Sequence, residues 1–143
     1  MTSFTLSHST LKIGQVAAQS GLPVKTIRYY EEIGILKPNV ERSPSGYRLF
    51  TPDVLNRLAF IKRSQALGLS LHEIGQILDV HDDGQLPCGE VKQHLQEKLD
   101  SVNAQIEALE TLRSELSGIL SGWQELPSPE RAAQTICPNL QKD

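Results

Sequence analysis

The stretch from Cys88 to Gly122 constrains the fold of this chain most, because it is long and contains no proline. Its apolar residues are spaced mostly four and three apart, at Leu95, Leu99, Val102, Ile106, Leu109, Leu112, Leu116 and Ile119. This spacing predicts a coiled-coil helix, which would be about 50 Å long at the usual rise per residue. A chain of 143 residues cannot bury such a stripe within its own fold, so we expect the helix to pair with a second copy.

Charge is distributed unevenly along the chain. The formal net charge is −3, but residues 1–80 carry nine Lys and Arg against six Asp and Glu, whereas residues 81–143 carry five against eleven. A basic N-terminal half on an acidic C-terminal half is typical of a nucleic-acid-binding module with an attached accessory segment. No apolar run approaches the roughly 20 residues of a membrane span, and the opening residues do not resemble a signal peptide. We therefore expect a cytoplasmic protein with free thiols and no membrane partner.

The pattern from Leu11 to Gly34 predicts a helix-turn-helix. A first helix begins at Leu11 and ends at Gly21, which tolerates a positive φ. Pro23 is well placed to begin a second helix, which reaches about Ile33. The second helix offers side chains that suit a DNA surface: Lys25, Thr26, Arg28, Tyr29 and Tyr30.

Residues 36–50 predict a two-stranded hairpin, or wing, because turn residues separate strand formers. Arg42, Tyr47 and Arg48 lie on it. Thr51 is the predicted N-cap of a third helix, which carries Lys62 and Arg63.

A fourth helix is predicted to begin with a capping box at Ser70 to Glu73. A polar linker from His81 to Pro87 then leads into the long helix. After Gly122 the chain has a loop-like composition, with one short helical turn predicted around Glu130 to Gln134.

These basic and tyrosine side chains suit contact with DNA. Lysine and arginine neutralise phosphates, tyrosine hydroxyls donate to phosphate oxygens, and a recognition helix fits the major groove. The alternative is a solvated basic face on a small helical domain.

Two runs, IGQVAAQSGLPVKTIRYYEEIGILKP and SGYRLFTPDVLNRLAFIKRSQALGLSLHEI, resemble the MerR family of bacterial transcription regulators. The resemblance covers about residues 11–121. It implies a homodimer joined by an antiparallel coiled coil and bound to palindromic double-stranded promoter DNA. It also implies activation by an effector that makes the dimer bend and untwist a long promoter spacer, so that RNA polymerase engages both promoter elements.

The resemblance implies specific DNA contacts. By position in the family motifs, these are Lys25, Arg28 and Tyr30 on the recognition helix and Arg42, Tyr47 and Arg48 on the wing. Thr26, Tyr29, Lys62 and Arg63 complete the set that we predict from residue type and placement. Many relatives carry a basic residue where this chain has Gln65, so we expect this chain to lack the phosphate contact of that residue.

Two cysteines flank the long helix. Cys88 opens it, where backbone amides favour an anion, and Cys137 lies in a loop beyond its other end. In an antiparallel dimer, Cys88 of one chain would approach Cys137 of the other. The segments PCGEVK and ICPNL resemble the metal-responsive branch of the family, in which a cysteine at the position of Cys88 is typical of sensors for divalent ions.

The chain departs from that branch at the start of the loop. Relatives usually carry a second cysteine there, whereas residues 121–124 read SGWQ, and the loop is longer than usual. We expect a soft or divalent ion as the effector, among Hg(II), Zn(II), Cd(II) and Pb(II). Two thiolates alone suit Hg(II), whereas Zn(II) would need further ligands. His81 is the first candidate for such a ligand, and we expect no organic cofactor.

The sequence therefore predicts a mainly α protein that is not an enzyme. It comprises a winged helix-turn-helix domain (1–80), a linker and antiparallel coiled-coil dimerisation helix (81–122), and a short C-terminal sensing loop (123–143). Metal-responsive activation is the first functional hypothesis. The alternatives are a MerR-like sensor of oxidation or electrophiles acting through the same thiols, and an architectural DNA-binding dimer without an effector.

Overall fold

The structure, a computed structural model, describes residues 9–141, and the opening segment that we predict is not a signal peptide lies largely outside that range. The described chain is mainly helical. Its elements are β1 (Leu11–Lys12), α1 (Ile13–Ser20), α2 (Val24–Glu32), a 3-10 helix (Lys37–Asn39), β2 (Val40–Arg42), β3 (Arg48–Phe50), α3 (Val54–Ala66), α4 (Leu71–Asp82), α5 (Cys88–Ser121) and α6 (Pro129–Gln134). No helix within residues 9–141 is long and apolar enough to cross a bilayer.

The chain divides into two compact units, of which the first ends at Lys98 and the second begins at Leu99. The first unit contains β1 to α4 and the start of α5. The second contains the remainder of α5, α6 and the loops around α6. The three functional ranges predicted above remain a prediction.

The predicted helix-turn-helix forms, with its first helix beginning at Ile13 instead of Leu11. Gly21 ends α1 with a φ of 74°, and its N–H donates to the carbonyl of Ala17 at 3.0 Å. Pro23 precedes the first residue of α2 with a φ of −64°. Val16 and Ile27 are fully buried, so the two helices pack through the faces that the apolar pattern indicates.

The sheet has one strand more than predicted. Leu11 and Lys12 do not begin α1 but form an edge strand antiparallel to β3, with Leu11 opposite Phe50. β2 pairs with the other edge of β3, with Arg42 opposite Arg48. The strand order is therefore β1-β3-β2, and the wing is joined to the start of the helix-turn-helix.

The predicted N-cap of α3 is wrong. Asp53 holds that position, because the side chain of Thr51 is already engaged elsewhere. Its Oγ1 accepts a hydrogen bond from Asn39 Nδ2 at 2.8 Å, and its N–H donates to the Asn39 carbonyl at 2.9 Å. Thr51 thus ties the end of β3 to the 3-10 helix instead of capping α3.

The predicted capping box at the start of α4 is confirmed. Ser70 Oγ accepts from the Glu73 N–H at 3.1 Å, and Glu73 Oε1 accepts from the Ser70 N–H at 2.8 Å. These hydrogen bonds hold the pKa of Glu73 below its usual value. The core of the first unit joins α1 to α4 and the wing through Val16, Ile27, Tyr30, Ile35, Leu36, Phe50, Val54, Leu58, Ile61, Leu69, Ile74, Ile77 and Leu78.

The long helix α5 agrees with its predicted span to within one residue. Near its start, Val91 packs against the core of the first unit. Further along, the apolar stripe is open to solvent within one chain. Seven of its residues are 36–64% exposed, at Leu95, Leu99, Val102, Ile106, Leu109, Leu112 and Leu116. Ile119, the last residue of the predicted stripe, is partly buried.

Candidate DNA interface and thiol sites

The outward face of α2 carries three of the predicted DNA contacts. Lys25 and Arg28 are exposed, and the ring of Tyr29 is 50% exposed. Thr26 is partly buried near the start of the helix. Because Ile27 packs inward on the opposite face, α2 presents cationic and aromatic groups to solvent, as a recognition helix does.

Tyr30 requires a correction, because it does not share that outward face. It is only 4% exposed, and its hydroxyl donates to Gln65 Oε1 at 2.6 Å. Burial raises the pKa of Tyr30. Tyr30 is therefore a core residue, and its hydroxyl group links α2 to α3. In this chain, Gln65 is the partner of that buried hydroxyl.

The wing presents two further predicted residues. Arg42 is exposed and donates through Nη1 to the Gly46 carbonyl at 3.1 Å. Gly46 has a φ of 90°, a conformation that glycine adopts at little cost. Tyr47 follows and is 71% exposed. The tight turn therefore projects a tyrosine from the tip of the wing and holds an arginine beside it.

Arg48 connects the wing to the recognition helix. Its guanidinium forms an ion pair with the carboxylate of Glu31 on α2. The carboxylate is the more buried partner, while the Arg48 side chain remains partly exposed. The pair therefore fixes the position of β3 relative to α2 and leaves part of the guanidinium open to solvent.

A surface depression brings these elements together. Arg28 from α2 and Arg42 and Arg48 from the wing line it, and so does Lys12 from β1. Four cationic side chains around one depression form a surface that suits phosphate. Lys12 was missed in the sequence. No sequence signal pointed to it, because Lys12 was expected within the first helix, whereas it lies on the edge strand β1.

Lys62 and Arg63 lie apart from that depression. Both are exposed on α3, and they line a second depression with Gln19 and Ser20 at the end of α1. They extend the cationic surface of the first unit.

Cys88 is the first residue of α5 and is an exposed free thiol. His81, the predicted additional ligand, is exposed in the last turn of α4. The neighbouring Asp82 is engaged by Arg57. His94 lies against Glu73, with Nδ1 3.4 Å from Oε2.

Cys137 belongs to the second unit and is a partly buried free thiol. Its N–H donates to Gln141 Oε1 at 2.9 Å. Trp123 is partly exposed at the start of the same loop. Among residues 9–141, no group of three or more His, Cys, Asp and Glu side chains is arranged to hold a metal ion within one chain.

A recognition helix, a wing attached to it by an ion pair and a shared cationic surface define a winged helix-turn-helix DNA-binding protein. The family model described as "MerR HTH family regulatory protein" matches residues 11–80, and the model described as "MerR, DNA binding" matches residues 55–119. The chain belongs to the MerR family of DNA-binding transcriptional regulators, as the sequence resemblance predicted, and not to a family of enzymes.

Individual relatives are similar to this chain in sequence or structure over most of its length. An uncharacterised HTH-type transcriptional regulator of Pseudomonas aeruginosa is 40% identical over 91% of this chain and 93% of its own length. A probable heavy metal-dependent transcriptional regulator of Haemophilus influenzae is 38% identical over 84% of this chain and 93% of its own length. The crystal structure of PbrR691 from Ralstonia metallidurans in complex with lead(II) has a TM-score of 0.70 and 32% identity, and it covers 84% of this chain and 93% of that one.

Proposed function

We propose that this chain is a metal-responsive regulator that binds promoter DNA as a homodimer and activates transcription when a soft or divalent metal ion binds at the dimer interface. One observation carries the metal assignment. A free, exposed cysteine is the first residue of α5, in a chain whose relatives include a heavy metal-dependent regulator and a lead(II)-bound regulator. Such a protein would act in the cytoplasm, where promoter DNA lies.

The proposed DNA contacts follow from the exposed cationic surface. Lys25, Arg28 and Tyr29 would enter the major groove from α2, and Arg42, Tyr47 and Arg48 would contact the flanking backbone from the wing. Two copies would read the two halves of a palindromic operator. Activation would proceed by bending and untwisting the spacer so that RNA polymerase contacts both promoter elements, which uses the deformability of DNA.

The proposed dimer follows from the exposed stripe on α5. Leucine, isoleucine and valine side chains at three- and four-residue spacing bury little surface within one chain, and an antiparallel partner helix would cover them. In that arrangement the first turn of α5 from one copy lies beside the end of α5 from the other. Cys88 would then meet Cys137 of the second copy.

The proposed ligand set limits the choice of metal. Two thiolates satisfy an ion that accepts linear coordination, such as Hg(II). Zn(II), Cd(II) or Pb(II) would require additional donors, and exposed His81 is the proposed third ligand. Asp82 is a poor donor candidate, because its carboxylate already accepts two hydrogen bonds from Arg57.

The test combines metal binding with transcription. Reduced dimer is titrated with Hg(II), Pb(II), Cd(II), Zn(II) and Cu(I), and each loaded form is assayed by in vitro transcription from a promoter that the protein binds. We expect at least one ion to bind stoichiometrically and activate transcription. Cys88→Ser and Cys137→Ser should each lose metal binding while they retain DNA binding, and His81→Ala should weaken binding of the ions that need more than two ligands.

A thiol-oxidation sensor is the second candidate, because Cys88 is free and exposed. If the reduced protein binds no soft metal while diamide changes promoter activity, the metal hypothesis fails and oxidation is the signal. If neither cysteine variant alters transcription in the presence of metals or diamide, both sensing hypotheses fail and an architectural role remains.

A further inference from the structure

The loop that carries Cys137 is closed at its base by the side chain of Asn139. Asn139 Oδ1 accepts a hydrogen bond from the Gln124 N–H at 2.8 Å, and its Nδ2 donates to the Gln124 carbonyl at 3.0 Å. Asn139 is buried, with 6% of its surface exposed. One amide therefore satisfies both backbone groups of a residue that is fifteen positions away in sequence.

Cys137 and Asn139 belong to the same tight turn. The carbonyl of Cys137 accepts hydrogen bonds from the N–H groups of Leu140 and Gln141, each at 3.1 Å. Pro138 stands between Cys137 and Asn139 and restricts the backbone there. A displacement of Asn139 must therefore displace Cys137.

The side chain of Gln141 closes the turn from the other side. Its Oε1 accepts from the N–H groups of Ile136 and Cys137, at 2.7 and 2.9 Å. Its backbone carbonyl accepts from Arg131 Nη2 on α6 at 2.5 Å. Both backbone groups of Cys137 are therefore hydrogen-bonded, and Asn139 is the link from this turn to the start of the loop.

Gln124 lies where the chain departs from the metal-responsive pattern. Residues 121–124 contain no thiol, and the backbone there is held by the amide of Asn139. Truncating Asn139 would leave the N–H and carbonyl of Gln124 without these partners. Gln124 is an exposed residue, so water can hydrate these two groups once the loop opens, and the hydrogen bonds that hold the loop closed are lost.

We propose that Asn139 is a positioning residue for the thiol of Cys137. Its two hydrogen bonds to Gln124 hold the Cys137 turn against the base of the loop and keep the sulfur in one place. The consequence for metal affinity rests on the proposed function, but the position of the thiol does not, so the two are tested separately.

The first test measures the thiol directly. In the Cys88→Ser background, Cys137 is the only cysteine, and its alkylation by iodoacetamide is followed by mass spectrometry at fixed pH. We expect Asn139→Ala to accelerate alkylation about tenfold, since each of the two hydrogen bonds contributes a few-fold. Asn139→Asp retains the acceptor for the Gln124 N–H and loses the donor, but it also places a negative charge near the thiol. Its rate is therefore compared after correction for the thiolate fraction measured in each variant, and it should then be intermediate.

Gln134→Ala is the matched control, because Gln134 is an exposed amide on α6 in the same unit. Its alkylation rate should equal that of the parent. Circular dichroism of the two Asn139 variants should match that of the parent, which separates opening of this loop from a general loss of folding. The proposal is overturned if Asn139→Ala and Gln134→Ala react at rates within twofold of each other.

The second test measures metal affinity in the full chain with both cysteines reduced. Hg(II) and Pb(II) are titrated against a competing chelator, and we expect Asn139→Ala to weaken binding about tenfold with the DNA affinity of the metal-free protein unchanged. Equal metal affinities would overturn a role for this position in metal capture. If the parent protein binds neither ion, the titration is repeated with whichever of Cd(II), Zn(II) or Cu(I) it binds. If it binds none of the five, the proposed function fails, and the alkylation rates alone decide the role of Asn139.

Discussion

Arg57 and Asp82 are joined by two parallel hydrogen bonds, from Nη1 to Oδ1 at 2.7 Å and from Nη2 to Oδ2 at 2.9 Å. The third guanidinium nitrogen, Nε, donates to the carbonyl of Ile35 at 2.5 Å. One buried side chain on α3 thus connects the last residue of α4 with the turn that follows α2. This is the geometry in which a guanidinium recognises a carboxylate most strongly.

Asp82→Asn should destabilise the protein, because the buried guanidinium of Arg57 would lose its counter-charge. Removing one partner of a fully buried pair costs on the order of 3–5 kcal/mol, and for a partly exposed carboxylate we expect about 2 kcal/mol. Chemical denaturation measures the change. Asp83→Asn is the control, since Asp83 is the exposed neighbour. A midpoint for Asp82→Asn equal to that of the control would contradict a stabilising role for the pair.

The same pair predicts how stability depends on pH. The hydrogen bonds from Arg57 hold the pKa of Asp82 below its usual value, so folding favours the charged carboxylate. Its contribution is fully present above the ordinary aspartate pKa of about 3.9 and is lost as the pH falls through the lowered value. The stability difference between the parent and Asp82→Asn should therefore be constant near neutrality and shrink below about pH 4. A difference that persists unchanged at pH 2–3 would exclude this linkage.

Signals carried by neighbouring residues predicted much of the fold. Gly21 ended α1 and Ser70 capped α4 because their partners lie within a few residues. Thr51 was assigned wrongly because its side chain bonds to Asn39, twelve residues earlier. The spacing of apolar residues predicted α5 well, since that pattern repeats along the helix itself.

The residues of the candidate site also differ in whether nearby or distant residues determine their positions. The exposed positions of Lys25, Arg28 and Tyr47 follow from helical and hairpin geometry alone. Tyr30 lies three residues after the buried Ile27, so helical spacing already places it on the inward face, away from Tyr29. Its hydrogen bond to Gln65, thirty-five residues away on another helix, was beyond the reach of sequence patterns. The closure of the Cys137 loop by Asn139 likewise depends on a contact across fifteen residues.

Arg28→Ala should weaken binding to DNA fragments that the wild-type protein selects from a random pool. A lost phosphate contact should lower the affinity and reduce the magnitude of the salt slope by about one, whereas a lost base contact should cost about 1–3 kcal/mol and relax the sequence preference. Fluorescence anisotropy at several salt concentrations separates these cases. Arg113→Ala, which alters an exposed arginine on α5, is the charge-matched control. Unchanged affinity at physiological salt would refute the assignment of α2 as the recognition helix.

Glu31→Gln should reduce DNA specificity without reducing DNA affinity in general. The substitution releases Arg48 from its ion pair, which adds a free cation to the surface and loosens the wing. Non-specific affinity should rise, with a salt slope steeper by about one phosphate contact, whereas affinity for selected sites should rise less or fall. Glu32→Gln adds the same net charge at an exposed neighbouring position. If both variants change specific and non-specific binding alike, the ion pair does not position the wing.

Leu109→Glu should convert the proposed dimer into a monomer. Leu109 lies within the exposed stripe of α5 and is 64% exposed in one chain, so a single chain tolerates a carboxylate there. In an antiparallel dimer the same carboxylate would be buried against a partner helix, and burying an unpaired charge is strongly unfavourable. Sedimentation equilibrium measures the dimer affinity, which should fall at least a hundredfold, and circular dichroism should show that most of the helix content is retained.

Glu110→Gln, one position along the same helix, removes a charge instead and should leave the dimer intact. A dimer of unchanged affinity in Leu109→Glu would mean that this stripe is not the surface through which two copies associate, and the proposed meeting of Cys88 with Cys137 would lose its geometric basis.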